Sequence, residues 1–303
     1  MTELLSVLET VLPVLLALIV GMFCREKKLL TTDGVQALKK VVINITLPAV
    51  LVNAFASAQY DRASLLVPAI VFLLCCLGLG IGFCLAKLMR LGRLPAFLAT
   101  GFEAGMLGYA LFALLFPDAA TSNFAIPDIG QTVFVFTVYK AMLSGKSGRK
   151  AIVKDIFTSP IIWAIIVGVL LGATGLYGAS QQFSSLLGSL TSFISAPTGM
   201  IILLVVGYDL DLRQIKWKDT AAFIALRLIT MAVLLGIVWP LNTYVLGGMI
   251  HTGAILLMLT LPPPYVLPIF STDESQRARL SSALSALTLV TMILFAVMAI
   301  VIS

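Results

Sequence analysis

Charge is scarce in this sequence. Asp, Glu, Lys and Arg make up only 11% of its 303 residues, against roughly 25% in a soluble domain. So few charges cannot coat a water-facing surface, which excludes a soluble globular enzyme and a disordered chain. Histidine is scarcer still: His251 stands alone, so no zinc or haem site can be assembled around imidazoles. The four cysteines, Cys24, Cys75, Cys76 and Cys84, lie in or beside apolar runs. They read as small buried hydrophobes rather than a disulfide framework. No phosphate-cradling loop of the Walker type occurs, so the chain carries no ATP drive of its own. No metal or organic cofactor is expected.

Apolar residues are abundant. They reach 60% of the chain, with a mean hydropathy of +1.07. A transmembrane helix needs roughly 20 of them in a row. Such runs fall at about 4–23, 36–57, 65–89, 94–116, 124–143, 157–175, 186–208, 220–239, 249–270 and 280–302. The predicted fold class is therefore an all-α polytopic membrane protein with ten transmembrane helices. The first run reads as a membrane helix and not a cleavable signal. Glu3 and Glu9 stand at its start, and Arg25, Lys27 and Lys28 follow it.

In a soluble protein the net charge of +6 would suggest nucleic acid as a partner. Here it follows the positive-inside rule. Eighteen of the 20 basic residues fall in alternate loops, after helices 1, 3, 5, 7 and 9. Only Arg62 lies in the other loops, and Arg227 lies inside helix 8. The alternation predicts both termini outside and no nucleic-acid partner.

The chain also repeats itself. Pro13–Gly21 aligns with Pro160–Gly168, with five of nine positions identical. Thr46-Leu-Pro48 in helix 2 corresponds to Ser195-Ala-Pro197 in helix 7. The predicted organisation is a five-helix repeat over 1–150 and a second over 151–303. Five is odd, so the second copy enters the membrane inverted. The basic loop after helix 1 and the uncharged loop after helix 6 agree with that inversion. Inverted repeats are a transporter signature, with the site between the halves near the midplane.

Two runs contain breaks. Helix 4 holds Gly101, Glu103, Gly105 and Gly108, and helix 9 holds Pro262, Pro263 and Pro264. Glycine costs a helix about 1 kcal/mol relative to alanine, and a mid-bilayer carboxylate about 2.5–3.5 kcal/mol on insertion scales. Proline cannot donate to the helix ladder. Breaks at corresponding places in two halves point to a binding site. Their second arms expose helix N-termini, which favour a carboxylate or another anion.

These motifs in this order resemble the auxin efflux carrier family, which includes plant PIN proteins and bacterial organic-acid permeases. The residues that carry the likeness are Ile45-Thr-Leu-Pro48, Ala196-Pro-Thr-Gly199 with Val206-Gly-Tyr208, the glycine-rich break at 101–108, and Leu261–Pro264. The likeness spans essentially the whole chain. It implies a scaffold bundle of helices 1, 2, 6 and 7, and a transport bundle of helices 3–5 and 8–10. Helices 4 and 9 would cross at their breaks. Where the family often has Asn-Thr-Gly at the first crossover, this chain has Glu103-Ala-Gly105. The short stretch 144–156 implies a prokaryotic member, hence a cytoplasmic (inner) membrane.

Glu103 stands out. Low dielectric disfavours a charged carboxylate, so a Glu that must be protonated or cation-paired when an anion binds can couple transport to H⁺ or Na⁺. It could equally pair with Arg227 for structure, or meet a cationic group on the substrate. Arg227, about eight residues into helix 8, can snorkel to the cytoplasmic surface, pair with Glu103, or attract the anion. Asn44, Thr46 and Asn53 flank Pro48, and Ser195 and Thr198 flank Pro197. They either satisfy backbone groups freed by proline or line the site. The candidate binding set is Glu103, Ala104, Gly105, Asn44, Thr46, Ser195, Thr198, Pro263, Tyr265 and Gln131, with Glu103 and Arg227 as coupling residues. His251 reads as an exposed interfacial residue, and Asp209 and Asp211 as solvated caps of helix 7. No paired intramembrane acids are expected. The expected function is secondary, alternating-access transport of small organic anions such as malate, malonate or auxin-like acids. The expected partners are that anion and the lipid bilayer, and a homodimer is compatible. The rival readings are a carrier of a cationic or zwitterionic substrate held by Glu103, and an ion channel.

Overall fold

The computed structural model describes residues 2–58, 60, 62–143, 158, 160–210, 217–270 and 274–302. Among these the chain is helix and turn, with no strand. Helix α1 is Thr2–Glu26, α2 is Thr32–Ala56 and α3 is Arg62–Leu88. A short 3₁₀ turn, Leu94–Leu98, leads into an unwound stretch. Helix α4 then begins as a wide π turn, Ala104–Gly108, and runs on as Tyr109–Leu115. Helix α5 starts as Ser122–Phe134 and continues through Val135–Tyr139 into Lys140–Leu143. Then come α6 (Pro160–Ala173), α7 (Gln181–Asp209), α8 (Trp217–Pro240, prolonged by Leu241–Val245), α9 (Thr252–Thr260) and α10 (Glu274–Ile302).

Among the described residues five stretches are long and apolar enough to cross a membrane: Thr32–Ala56, Leu66–Leu88, Gln181–Asp209, Thr220–Val245 and Arg279–Ile302. Pro160–Ala173 is shorter and equally apolar in character. Large apolar side chains such as Ile19, Leu73, Leu170, Phe193 and Ile293 face outward, as a lipid-facing surface requires. The chain is an all-helical integral membrane protein.

The matched motifs mark matched structure. Pro48 follows a π turn, Val42–Thr46, within α2. Pro197 divides α7 into Gln181–Ser195 and Thr198–Asp209. Helix α1 lies along the second part of α7, and α6 lies along the second part of α2. Glycine makes both contacts possible. A Cβ on Gly21 would stand 2.1 Å from the Leu204 carbonyl oxygen, and one on Gly168 would stand 2.7 Å from Cβ of Phe55. The aligned glycines of the two halves thus serve the same purpose against exchanged partners. Elsewhere α3 packs on α5 and α8, and α8 packs on α9 and α10. The expected boundary at 150/151, the basic residues Lys146, Arg149, Lys150 and Lys154, and Asp211, Arg213 and Lys216 lie outside the described residues.

Candidate functional site

The two broken stretches meet. Residues 99–103 are unwound between Leu98 and α4, and 261–264 are unwound beyond α9. Gly101 turns the first with φ +69°, a left-handed conformation that glycine adopts without strain. A Cβ there would stand 3.2 Å from Pro264, so the glycine also permits the close approach. The strands are joined by the Glu103 N–H, which donates to the Pro262 carbonyl at 2.8 Å.

Buried, unwound backbone must have its polar groups satisfied, and here side chains from three other helices and one backbone amide do so. Tyr139 of α5 donates its hydroxyl to the Thr100 carbonyl at 2.8 Å. Gln131, also on α5, donates to the Phe102 carbonyl. Gly108 N–H donates to the Glu103 carbonyl at 2.9 Å. Thr291 of α10 donates to the Thr260 carbonyl at 2.7 Å. Arg227 of α8 donates to three carbonyls: Nη1 to Leu98 at 2.8 Å, and Nη2 to Gly101 at 2.9 Å and to Leu261 at 2.5 Å. One guanidinium therefore ties both breaks together. The three prolines lack an N–H, so the first amide free to point into the crossing beyond them is that of Tyr265. It donates to Oε2 of Glu103 at 2.6 Å. The Tyr265 hydroxyl meets Thr288 Oγ1 at 2.8 Å.

Arg227 is 3% exposed and does not snorkel. A guanidinium buried among carbonyls gains hydrogen bonds that its aliphatic stem, reaching toward a surface, could not supply. The expectation of no second intramembrane acid is also corrected. Asp128 on α5 is buried and accepts from the Tyr109 hydroxyl at 3.0 Å and from Thr132 at 3.4 Å. Its partner Tyr109 lies on α4, just past the first break, and Gln131, one turn further along α5, donates to the Phe102 carbonyl within that break. The signal for Asp128 was a carboxylate one turn before Gln131 in an otherwise apolar run.

The structure gathers Glu103, Ala104, Gly105, Gln131, Pro263, Tyr265 and Arg227 at or beside the crossing. Gly105 sits between Leu47 and the Glu103 carboxylate, where a Cβ would stand 3.4 Å and 3.8 Å from them. Thr46 and Thr198 are buried, and their hydroxyls have no hydrogen-bond partner. Their elements, Val42–Thr46 and Thr198–Asp209, pack on each other, and the second also packs on Ala104–Gly108. Asn44 and Ser195 are not drawn in. Asn44 is exposed and Ser195 half-buried, and both bond within their own helices, Asn44 to the Lys40 carbonyl at 2.7 Å and Ser195 to that of Ser192 at 3.3 Å. His251 is no free interfacial side chain either: it lies edge-on to the rings of Phe112 and Phe116, 5.8 Å and 5.5 Å away. Asp209 is half exposed and pairs with Lys39 at 2.6 Å. An apolar cavity of about 50 Å³ adjoins the break on the side of Cys75, Met231 and Met258. Among the described residues no His, Cys, Asp and Glu side chains cluster as metal ligands would.

Interrupted helices crossing inside a helical membrane protein are an arrangement typical of membrane carriers. The comparisons agree. Residues 6–151, just under half of the chain, match the family model described as membrane transport protein. An uncharacterized transporter of Methanothermobacter thermautotrophicus is 25% identical over 216 residues, which cover 69% of each chain. An uncharacterized transporter of Methanocaldococcus jannaschii is 26% identical over 224 residues, which cover 69% of this chain and 71% of that one. The chain is a membrane transporter.

Proposed function

We propose that the protein is a secondary active transporter of small organic anions, carboxylates such as malate, malonate or auxin-like acids, working by alternating access. The observation that carries this reading is the Tyr265 amide. It already holds a carboxylate, that of Glu103, at 2.6 Å. A backbone N–H just beyond a proline break is a ready donor to an anion, and Glu103 acts as its internal occupant. A substrate carboxylate takes the same amide once Glu103 accepts a proton and withdraws. When the substrate leaves, Glu103 releases its proton and returns. Anion and proton then cross together. The unpartnered hydroxyls of Thr46 and Thr198 supply donors from the facing helices, and Gln131, Ala104, Gly105 and Pro263 shape the wall between.

The exchanged contacts of α1 with α7 and of α6 with α2 support two inverted five-helix repeats, 1–150 and 151–303. They also support a scaffold of α1, α2, α6 and α7 against which the bundle of α3–α5 and α8–α10 moves. The alternating basic loops support an orientation with both termini outside, and the short stretch 144–156 supports a prokaryotic inner membrane. The test is a thermal-shift screen of the purified protein with mono- and dicarboxylates and matched amines at two pH values. Carboxylates should stabilise it, more so at the lower pH. Stabilisation by amines alone would transfer Glu103 to a cationic substrate and overturn the anion reading.

A further inference from the structure

The crossing contains an arrangement that anion binding does not use. The Leu98 carbonyl ends the short turn before the first break, and Leu261 caps the C-terminus of α9. Helix C-termini carry partial negative charge, and unwound carbonyls together with half-helix C-termini are the groups that hold a coupling cation in carriers of inverted-repeat design. Leu98, Gly101 and Leu261 converge in this way on one guanidinium, Leu98 on Nη1 and the other two on Nη2, at 2.5–2.9 Å. Gly101 and Leu261 share the same nitrogen, Nη2, although they lie on different strands of the crossing.

We infer that these three carbonyls form a cation site that Arg227 fills permanently, so that the protein binds no sodium ion at the crossing. A guanidinium stays charged at any physiological pH. It is delivered by α8 and buried to 3% exposure, so a metal ion could enter only by expelling a charge with nowhere hydrated to go. Both hydrogens of Nη2 are engaged, one on each break, which also makes Arg227 the joint that obliges the two breaks to move as one unit. Arg227 is thus a residue that excludes sodium and a positioning residue for the crossing. The inference rests on the carrier reading only for its consequence, that sodium does not couple transport at the crossing.

The test uses the full chain in lipid nanodiscs and needs no known substrate. Radioactive sodium binding is measured by scintillation proximity, and thermal unfolding is followed in sodium, potassium and choline chloride at equal ionic strength. The wild type should show no saturable sodium binding and coincident unfolding curves. Arg227→Ala opens the carbonyl site: its Tm should fall by several degrees, and millimolar guanidinium should recover most of that loss where equal choline does not, while leaving the wild type unmoved. Arg227→Lys, which keeps a tethered cation with a single donor nitrogen, should fall between the two. Should the alanine variant fail to fold, the wild-type sodium measurement and the lysine variant still decide. Saturable sodium binding by the wild type overturns the inference. So does a folded Arg227→Ala with wild-type Tm and no response to guanidinium, or a lysine variant that unfolds as early as the alanine one. If carboxylates fail to stabilise the protein while these results hold, the anion reading falls and the filled cation site stands.

Discussion

Glu103→Gln separates a coupling role from a structural one in a single variant. The glutamine oxygen can still accept the Tyr265 amide, which reaches Oε2 at 2.6 Å, so the crossing keeps its bond and loses its charge. A hydrogen bond to a charged group contributes about 1.5–3 kcal/mol and a neutral one about 0.5–1.5 kcal/mol, so the change should cost about 1 kcal/mol. In a chain of this size that is roughly 2–4 °C of Tm. Binding should respond differently. If the substrate carboxylate takes the amide only when Glu103 is protonated, affinity is full at low pH and is lost as pH rises through the titration of Glu103. Above that point it falls about tenfold, or 1.4 kcal/mol, per pH unit. Glutamine mimics the protonated acid at every pH, so the slope should vanish. In proteoliposomes, gradient-driven accumulation should fail while exchange of labelled anion across the membrane persists, because exchange needs no proton release. The assay is titration calorimetry with a stabilising carboxylate across a pH series, paired with the two flux measurements. A stable Glu103→Gln protein that keeps the tenfold slope and still accumulates anion would refute the reasoning. The Tyr265 amide and the hydroxyls of Thr46 and Thr198 would then be the whole of the site.

Gly21→Ala and Gly168→Ala should each lower stability by about 1–3 kcal/mol through overpacking, since their new Cβ atoms meet Leu204 and Phe55 at 2.1 Å and 2.7 Å. Gly188→Ala, with nothing within 4 Å, should be neutral or stabilising by up to about 1 kcal/mol, and thermal unfolding of the three variants checks the contrast. Tyr139→Phe strands the Thr100 carbonyl and should cost about 1–3 kcal/mol, read in the same assay. Asp128→Asn leaves an oxygen for the Tyr109 hydroxyl, which reaches the carboxylate at 3.0 Å, so Tm should hold in the same assay. For topology, cysteines at Ser57 and Ala179, both exposed, should react with impermeant reagents from outside, and one at Lys146 should not. Labelling at 146 in sealed right-side-out vesicles would sink the predicted orientation.

The breaks were legible because backbone chemistry advertises them: three consecutive prolines and three glycines beside a carboxylate have no place in an apolar helix unless it opens. The residues that close those openings were less legible. Arg227 bonds to carbonyls up to 129 positions away in sequence, and local pattern alone allowed it to snorkel, pair or bind. Thr46 is buried and Asn44, two residues earlier, is exposed, although both flank Pro48. The π turn Val42–Thr46 adds a residue to the turn and shifts the inward face away from the 3.6-residue register. The same difficulty parts Ser195 from Thr198, because Pro197 restarts the helix between them. Asp128 stood out as a carboxylate in an apolar run, but its partner Tyr109, 19 positions away on α4, did not.

The exchanged seating of α1 and α6 bears on biogenesis. The surface against which α1 rests, Thr198–Asp209, leaves the ribosome more than 170 residues after α1 does. Until then the Gly21 face of α1 has only lipid beside it, and α2 likewise waits for α6 to arrive at Phe55. The nascent N-terminal half is therefore an unfinished object in the bilayer, held open for its complement. Quality-control proteases that recognise loosely packed membrane helices would meet it throughout that interval. Synthesis of the second half is what withdraws it from their reach.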